Sequence, residues 1–367
     1  DACQSSIGCF FIQTVTGKTS GKPRQLKSTL GELVITAKQA EQLQVKPYCQ
    51  ISPHLENCCL RLSAIMSYQK AEQEVAYQTG IRVPAKTQER LVHRQSFPTP
   101  AIEQPIEEVC VDGGKVRLRT PLGEPSEWRD YKALETDQGV VANFRNNAQL
   151  VDWVNDQPLA NPLTCLGDGH DGVWNIIAQV ASAPQRREIL DWYHLMENLY
   201  KVGGSLQRLK QAEALLWTGQ IDATLALFND SPRPQAQNFC RYLRKHRHRI
   251  IHYAYYQAEG ICSIGSGAVE SAIKQIDQRL HLPGAQWKAE RVPQVLAHRC
   301  AGFVGQHALV GTGLEELADP QAAGVARVLV GGQRVVGADD LVAEAHVGAR
   351  AQEQGAEVGH ALQEVVG

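Results

Sequence analysis

Two short apolar runs constrain this chain more than any other feature. Val109-Cys110-Val111 leads into Asp112-Gly113-Gly114, and Leu163-Thr164-Cys165-Leu166 leads into Gly167-Asp168-Gly169. Runs this short, rich in β-prone residues and bounded by glycine, read as buried strands and not as helices. A carboxylate at the tip of a buried strand is held at the rim of a sheet, where its backbone is rigid. A second stretch from Trp128 to Leu134 is placed to pair with Val109–Leu118 as a hairpin. Leu150–Asn155 and Trp174–Ala181 have helical spacing. Strand, hairpin, helix, strand, with acids at adjacent strand ends, predicts an α/β layer of the RNase H-like kind.

The remainder of the chain divides around that layer. At 367 residues it exceeds the ~250–300 at which single cores stop growing. Residues 1–51 have weak periodicity and form a poorly defined segment. Ser52-Pro53 supplies a helix cap and a first-turn proline, and helices are predicted over 53–65, 68–79 and 85–95, with Gly80 ending the second. Residues 52–97 thus have the outline of a helix-turn-helix, a DNA-binding unit whose last helix carries Lys86, Arg90 and Arg94; a plain three-helix packing unit has the same outline. Proline-rich residues 96–107 read as a linker, and residues 106–301 form the α/β domain. The stretch from about 185 to 258, rich in Leu, Gln, Arg and Tyr, reads as an inserted helical subdomain.

Composition breaks near residue 302. Residues 303–367 contain no Lys, Ile, Ser, Asn, Tyr, Trp or Met, and from 301 onward nine acids face three arginines. The 302–367 tail is therefore read as the product of a shifted reading frame or fusion, with a genuine Ala/Val/Gly-rich extension as the alternative. The overall charge of −2 hides a net +4 over residues 1–300, so attraction to a polyanion has to come from local patches. The chain opens on Asp1, which implies a natural start upstream. No window approaches the ~18 apolar residues of a membrane span and no signal peptide opens the chain. Ten scattered cysteines without a Cys-x-x-Cys pair suit a reducing cytoplasm.

Three carboxylates stand out as metal ligands. Asp112 and Asp168 follow the apolar runs, although Asp112 before two glycines also suits a turn and Asp171 is a rival to Asp168 on the same loop. Glu270 follows Gly265-Ser266-Gly267, where the serine can cap a helix; pairing with Lys274 at i+4 is its plainer role. Oxygen ligands of this kind suit Mg2+ or Mn2+, with two or three convergent carboxylates as the expected protein share. The run Arg241-Tyr242-Leu243-Arg244-Lys245-His246-Arg247-His248-Arg249 lacks any acid and is read as a grip on phosphates. Trp287 suits either the core or stacking on an unpaired base.

Taken in order, these words resemble the DDE transposases of bacterial insertion sequences, most closely the Kra-type family and more distantly the Mutator-like group. The resemblance runs from about Ser52 to Cys300 and rests on Leu166-Gly167-Asp168-Gly169, Asp191-Trp192-Tyr193-His194, Ile264 through Glu270, and Gln286-Trp287 after Arg279-Leu280. It implies metal-dependent cleavage and strand transfer of DNA, with terminal inverted repeats and target DNA as partners. It also implies two ions, with Asp112 bridging and Asp168 and Glu270 on either side. It places His194 beside the acids as an auxiliary group, with Asp191 fixing its tautomer. A homo-oligomer is expected, since two DNA ends must be joined. The chain departs from the family after Ala301, which leaves a catalytically inactive, end-binding remnant as the alternative.

Overall fold

The computed structural model describes residues 22–42 and 45–303. The tail reading and the first part of the 1–51 segment lie outside the described residues.

An antiparallel hairpin of β1 (Pro23–Ser28) and β2 (Gly31–Thr36) leads into a short helix α1 (Ala37–Gln42), closing a small core of Leu26, Leu33, Ile35, Ala40 and Val45. Three helices follow almost where the sequence puts them: α2 (Pro53–Ile65), α3 (Tyr68–Thr79) and α4 (Ala85–Arg94). Ser52 Oγ accepts from Leu55 N at 3.2 Å, Ser67 Oγ from Lys70 N at 3.1 Å, and Gly80 ends α3 at φ +69°. That angle suits a residue without a Cβ. Leu55, Cys59, Leu60, Val75, Leu91 and Val92 fill the space between the three helices.

A five-stranded mixed sheet organises the rest. Its strands are β3 (Ile106–Leu118), β4 (Glu127–Thr136), β5 (Gly139–Phe144), β6 (Leu159–Gly167) and β7 (Arg186–Leu190), in the order β5-β4-β3-β6-β7. The first three run antiparallel; β6 is parallel to β3, and β7 is parallel to β6. Residues Leu163–Gly167 are buried without alternation, as expected for a strand flanked on both sides by parallel neighbours. Helix α5 (Asn147–Asn155) enters β6, and α6 (Asp171–Ile177) leaves it.

Two sequence readings are corrected here. Asp112-Gly113-Gly114 neither interrupts nor ends a strand: it lies within the 13 residues of β3, because Lys132 and Tyr131 of β4 cross over the two glycines. A Cβ on Gly114 would meet the Tyr131 ring at 2.5–2.6 Å, and one on Gly113 would meet Lys132 Nζ at 2.7 Å. The helical insertion does not start near 185, since Arg186–Leu190 is sheet strand β7. With only Ile189 and Leu190 apolar, that segment has too little pattern to betray a strand. Strand β5 was likewise not anticipated.

The insertion comprises α7 (Trp192–Tyr200), α8 (Leu206–Trp217), α9 (Ile221–Phe228), α10 (Pro234–Lys245), a 3-10 turn at Arg247–Arg249, and α11 (Tyr253–Ala258). Its Leu199, Leu216, Phe239, Leu243 and Tyr253 join Val109, Val111, Leu166 and Trp174 in one continuous core. A second core lies between β3–β4 and helices α12 (Gly267–Leu280) and α13 (Val292–Phe303), built from Val116, Leu118, Tyr131, Ala133, Ile273, Ile276, Val295 and Leu296. The α2–α4 unit docks on these last helices. Arg279 Nε donates to Ser63 O at 2.8 Å, and Gln294 Nε2 donates to Val92 O and Gln95 O at 2.7 Å. The eight described cysteines are all free, and among the described residues no helix is long and apolar enough to cross a membrane.

Candidate functional site

Strand register places three aspartates at one level. Val111 of β3 pairs with Gly167 of β6, and Gly167 pairs with Leu190 of β7. The residues that follow these paired positions are Asp112 within β3, and Asp168 and Asp191 just past the ends of β6 and β7, so the three stand at neighbouring positions along the sheet. Side chains alternate along a strand, so Asp112 shares its face with Gly114, Val116 and Leu118. That is the face that α12 covers, and Glu270 lies in the first turn of α12.

Each group is held by a distinct local device. Asp112 Oδ1 accepts from Gly113 N at 2.6 Å. Burial holds the Asp112 carboxyl above the usual range; the Gly113 N–H opposes this, Asp168's negative charge adds to it, and Lys132 and His194 offset it in part. Asp168 Oδ1 accepts from His170 N at 2.8 Å, and its carbonyl accepts from Trp174 Nε1 at 2.6 Å. Asp171 instead opens α6 and is ion-paired with Lys245.

Asp191 is fully buried at the N-cap of α7. Its Oδ1 accepts from His194 N at 2.6 Å and lies 3.1 Å from His194 Nδ1, while Oδ2 accepts from Ser266 Oγ at 2.8 Å and from Ser266 N. Burial pushes this carboxyl upward, but the His194 and Ser266 donors outweigh it and hold it below the ordinary value. Ser266 therefore does not cap α12 with its side chain, as the sequence had suggested; its hydroxyl is spent on Asp191. Gly265 is required by space, since a Cβ there would meet the Tyr193 ring at 2.6 Å.

His194 links the two halves of the site. Its Nδ1 lies 3.7 Å from Glu270 Oε1, and Glu270 Oε2 lies 3.7 Å from Lys274 Nζ. The hydrogen bond to Asp191 raises the imidazole to about 9 against the opposition of burial, and the charges of Asp191, Glu270 and Asp168 add to it. Asp191 therefore holds the ring by Nδ1 and favours its charged form.

Asp191, His194 and Glu270 bring ligand atoms within 4.8 Å of one another, a cluster that could hold a metal ion. This differs from the expected trio, because Asp112 and Asp168 do not join Glu270 in an equally tight set. What the fold does bring to Glu270 is the His194 ring, 3.7 Å away. Of the three, Asp191 already accepts from four donors, and His194 can serve as a ligand only when its ring is neutral.

The expected phosphate-binding residues are divided by the fold. Lys86 pairs with Glu89 at 2.6 Å and Arg94 with Glu56 at 2.7 Å, while Arg90 is exposed. In the basic run the helix ends at Lys245, which pairs with Asp171; Arg247 makes a two-pronged pair with Asp222, and Arg249 pairs with Glu188 at 2.8 Å. Arg241 bonds to Asn238, and Arg244 is exposed. Of these pairs only Arg249–Glu188 is largely shielded; the Lys245 and Arg247 pairs lie in solvent. Trp287 lies half-buried beneath Arg279, 5.0 Å away, and donates from Nε1 to Leu280 O at 2.9 Å.

No protein-family model matches the chain, and no curated protein matches it either.

Proposed function

We propose that the chain is a DDE transposase with an RNase H-like core, catalysing metal-dependent cleavage and strand transfer of DNA. The observation that carries this reading is the register Val111↔Gly167, which sets Asp112 beside Asp168 under the helix that bears Glu270. The strand order β5-β4-β3-β6-β7, three antiparallel strands followed by two parallel ones, agrees with such a core.

The donor set suits a hard divalent cation. Asp112, Asp168 and Glu270 offer carboxylate oxygens; burial chiefly, and the Asp168 charge in addition, raise Asp112, and Mg2+ or Mn2+ would offset both. Two bound ions would supply activation of the attacking oxygen and stabilisation of the leaving oxygen. His194, cationic and beside Glu270, is placed to offset the charge of a phosphodiester. Asp191 and Ser266 hold that imidazolium and tie the start of α12 to the end of β7. Arg90, Arg241 and Arg244 are the exposed cations, of those expected, best suited to DNA phosphates. Joining two ends calls for at least two copies of the chain.

The test is a joining reaction with purified protein, Mg2+ or Mn2+, and pre-cleaved element ends. The expected result is strand-transfer product that Asp112→Asn abolishes. End binding without product would identify an inactive remnant, and cutting without joining would identify a nuclease of another kind.

A further inference from the structure

The insertion reaches the second acid directly. The Tyr242 ring on α10 lies against Gly169, where an added Cβ would meet the phenol oxygen at 2.6 Å and its ring carbon at 2.9 Å. One turn later Lys245 pairs with Asp171. Beyond the helix, the Arg249 guanidinium sits 3.8 Å over the Trp174 ring, whose Nε1 donates to the Asp168 carbonyl. Three side chains of the run expected to grip phosphates therefore clasp both ends of the Asp168 loop.

Tyr242 has one property that packing does not explain. Its hydroxyl is sealed from solvent and makes no hydrogen bond of normal geometry; the Asn198 amide is the nearby donor, and the charges of Asp168 and Asp191 reach it. A buried unbonded hydroxyl costs ~1–3 kcal/mol. Burial and those two carboxylates hold the phenol well above its ordinary range, so it remains a donor. Asp191 has no free oxygen to offer, whereas Asp168 Oδ1 takes only the His170 N–H and Oδ2 remains open.

We propose that Tyr242 is a positioning residue for Asp168: its ring keeps the Asp168-Gly169 turn seated, and its hydroxyl donates to the carboxylate when a cation draws Asp168 into place. This rests on the reading of Asp168 as a metal ligand. The inserted helices are then part of the metal site's support, and Gly169 is required because no side chain fits between the turn and the ring.

Mn2+ binding to the full chain, followed by calorimetry, tests the proposal apart from catalysis, with Asp168→Asn as the control. Tyr242→Phe keeps the ring and removes only an unbonded oxygen, so stability to urea should be equal to or above that of the parent. Its Mn2+ affinity should fall about ten-fold, as for loss of a partner that orients a ligand. Gly169→Ala, which pushes the ring aside, should weaken Mn2+ binding as well. A Tyr242→Phe protein that binds Mn2+ like the parent overturns the proposal while leaving the metal site intact. If the parent shows no Mn2+ binding sensitive to Asp168→Asn, the metal-site reading fails and the proposal fails with it.

Discussion

His246 offers a sharp test of how α10 is packed. The ring is fully buried between Tyr242, 4.7 Å away, and Trp174, 6.2 Å away; Nδ1 lies 3.2 Å from Arg249 Nη1, and Nε2 has no partner. Burial, reinforced by Arg249 and Lys245, lowers the imidazole from 6.5 to about 4. Between those values the unfolded chain binds a proton that the native protein refuses, so stability is complete above pH 6.5 and is lost as pH falls toward 4. At 1.36 kcal/mol per pKa unit, the loss reaches about 2.5 kcal/mol by pH 4.5. His246→Phe keeps a ring in the same space and removes the titration. It gives up one acceptor for Arg249, a cost of ~1 kcal/mol. Urea unfolding followed by tryptophan fluorescence should therefore show the variant slightly weaker at pH 7.5 and stronger than the parent at pH 4.5. Parallel pH curves for the two proteins would refute the argument, because every other titrating group is common to both.

The remaining predictions concern the sheet. Glu135 is raised to about 7 by burial, with the charges of Glu108 and Asp137 adding to it. An acid raised in the native state loses stability as pH rises from 4.5 through 7, so Glu135→Gln should be the more stable protein above pH 7, by about 1 kcal/mol after allowance for its partial exposure; unchanged urea midpoints at pH 8 would count against this. Gly114→Ala forces a methyl into the Tyr131 ring, whose hydroxyl is fixed on Asp277 Oδ1 at 2.8 Å. It should cost ~1–3 kcal/mol or more in denaturant unfolding, and a parent-like urea midpoint would count against this packing.

Local signals carried far along this chain where they were dense. Ser52-Pro53 marked the start of α2 and Gly80 the end of α3, since caps and left-handed glycines act through nearest neighbours. Val109–Val111 and Leu163–Leu166 announced strands because continuous apolar β-prone runs leave few alternatives. Arg186–Leu190 did not announce β7, because an edge strand with charged residues carries little period. Asp112, Asp168 and Glu270 were legible as candidates, and Asp191 and His194 as companions. Ser266 holds the N-cap position expected of it, but its hydroxyl bonds to Asp191, 75 residues away, and not to the helix.

Lys245, Arg247 and Arg249 show most clearly where one-dimensional reading stops. A run of cations without an acid among them carries no sign of its partners, yet Asp171, Asp222 and Glu188 arrive from three other elements to pair with Lys245, Arg247 and Arg249. Which residues are buried, bounded and glycine-marked is written locally, and so the elements and the acids could be named in advance. Which charge meets which depends on strand register and on helices returning across the sheet. That is why the shared level of Asp112, Asp168 and Asp191, the cation at His194 and the clasp of α10 on the Asp168 loop emerge only in the folded chain.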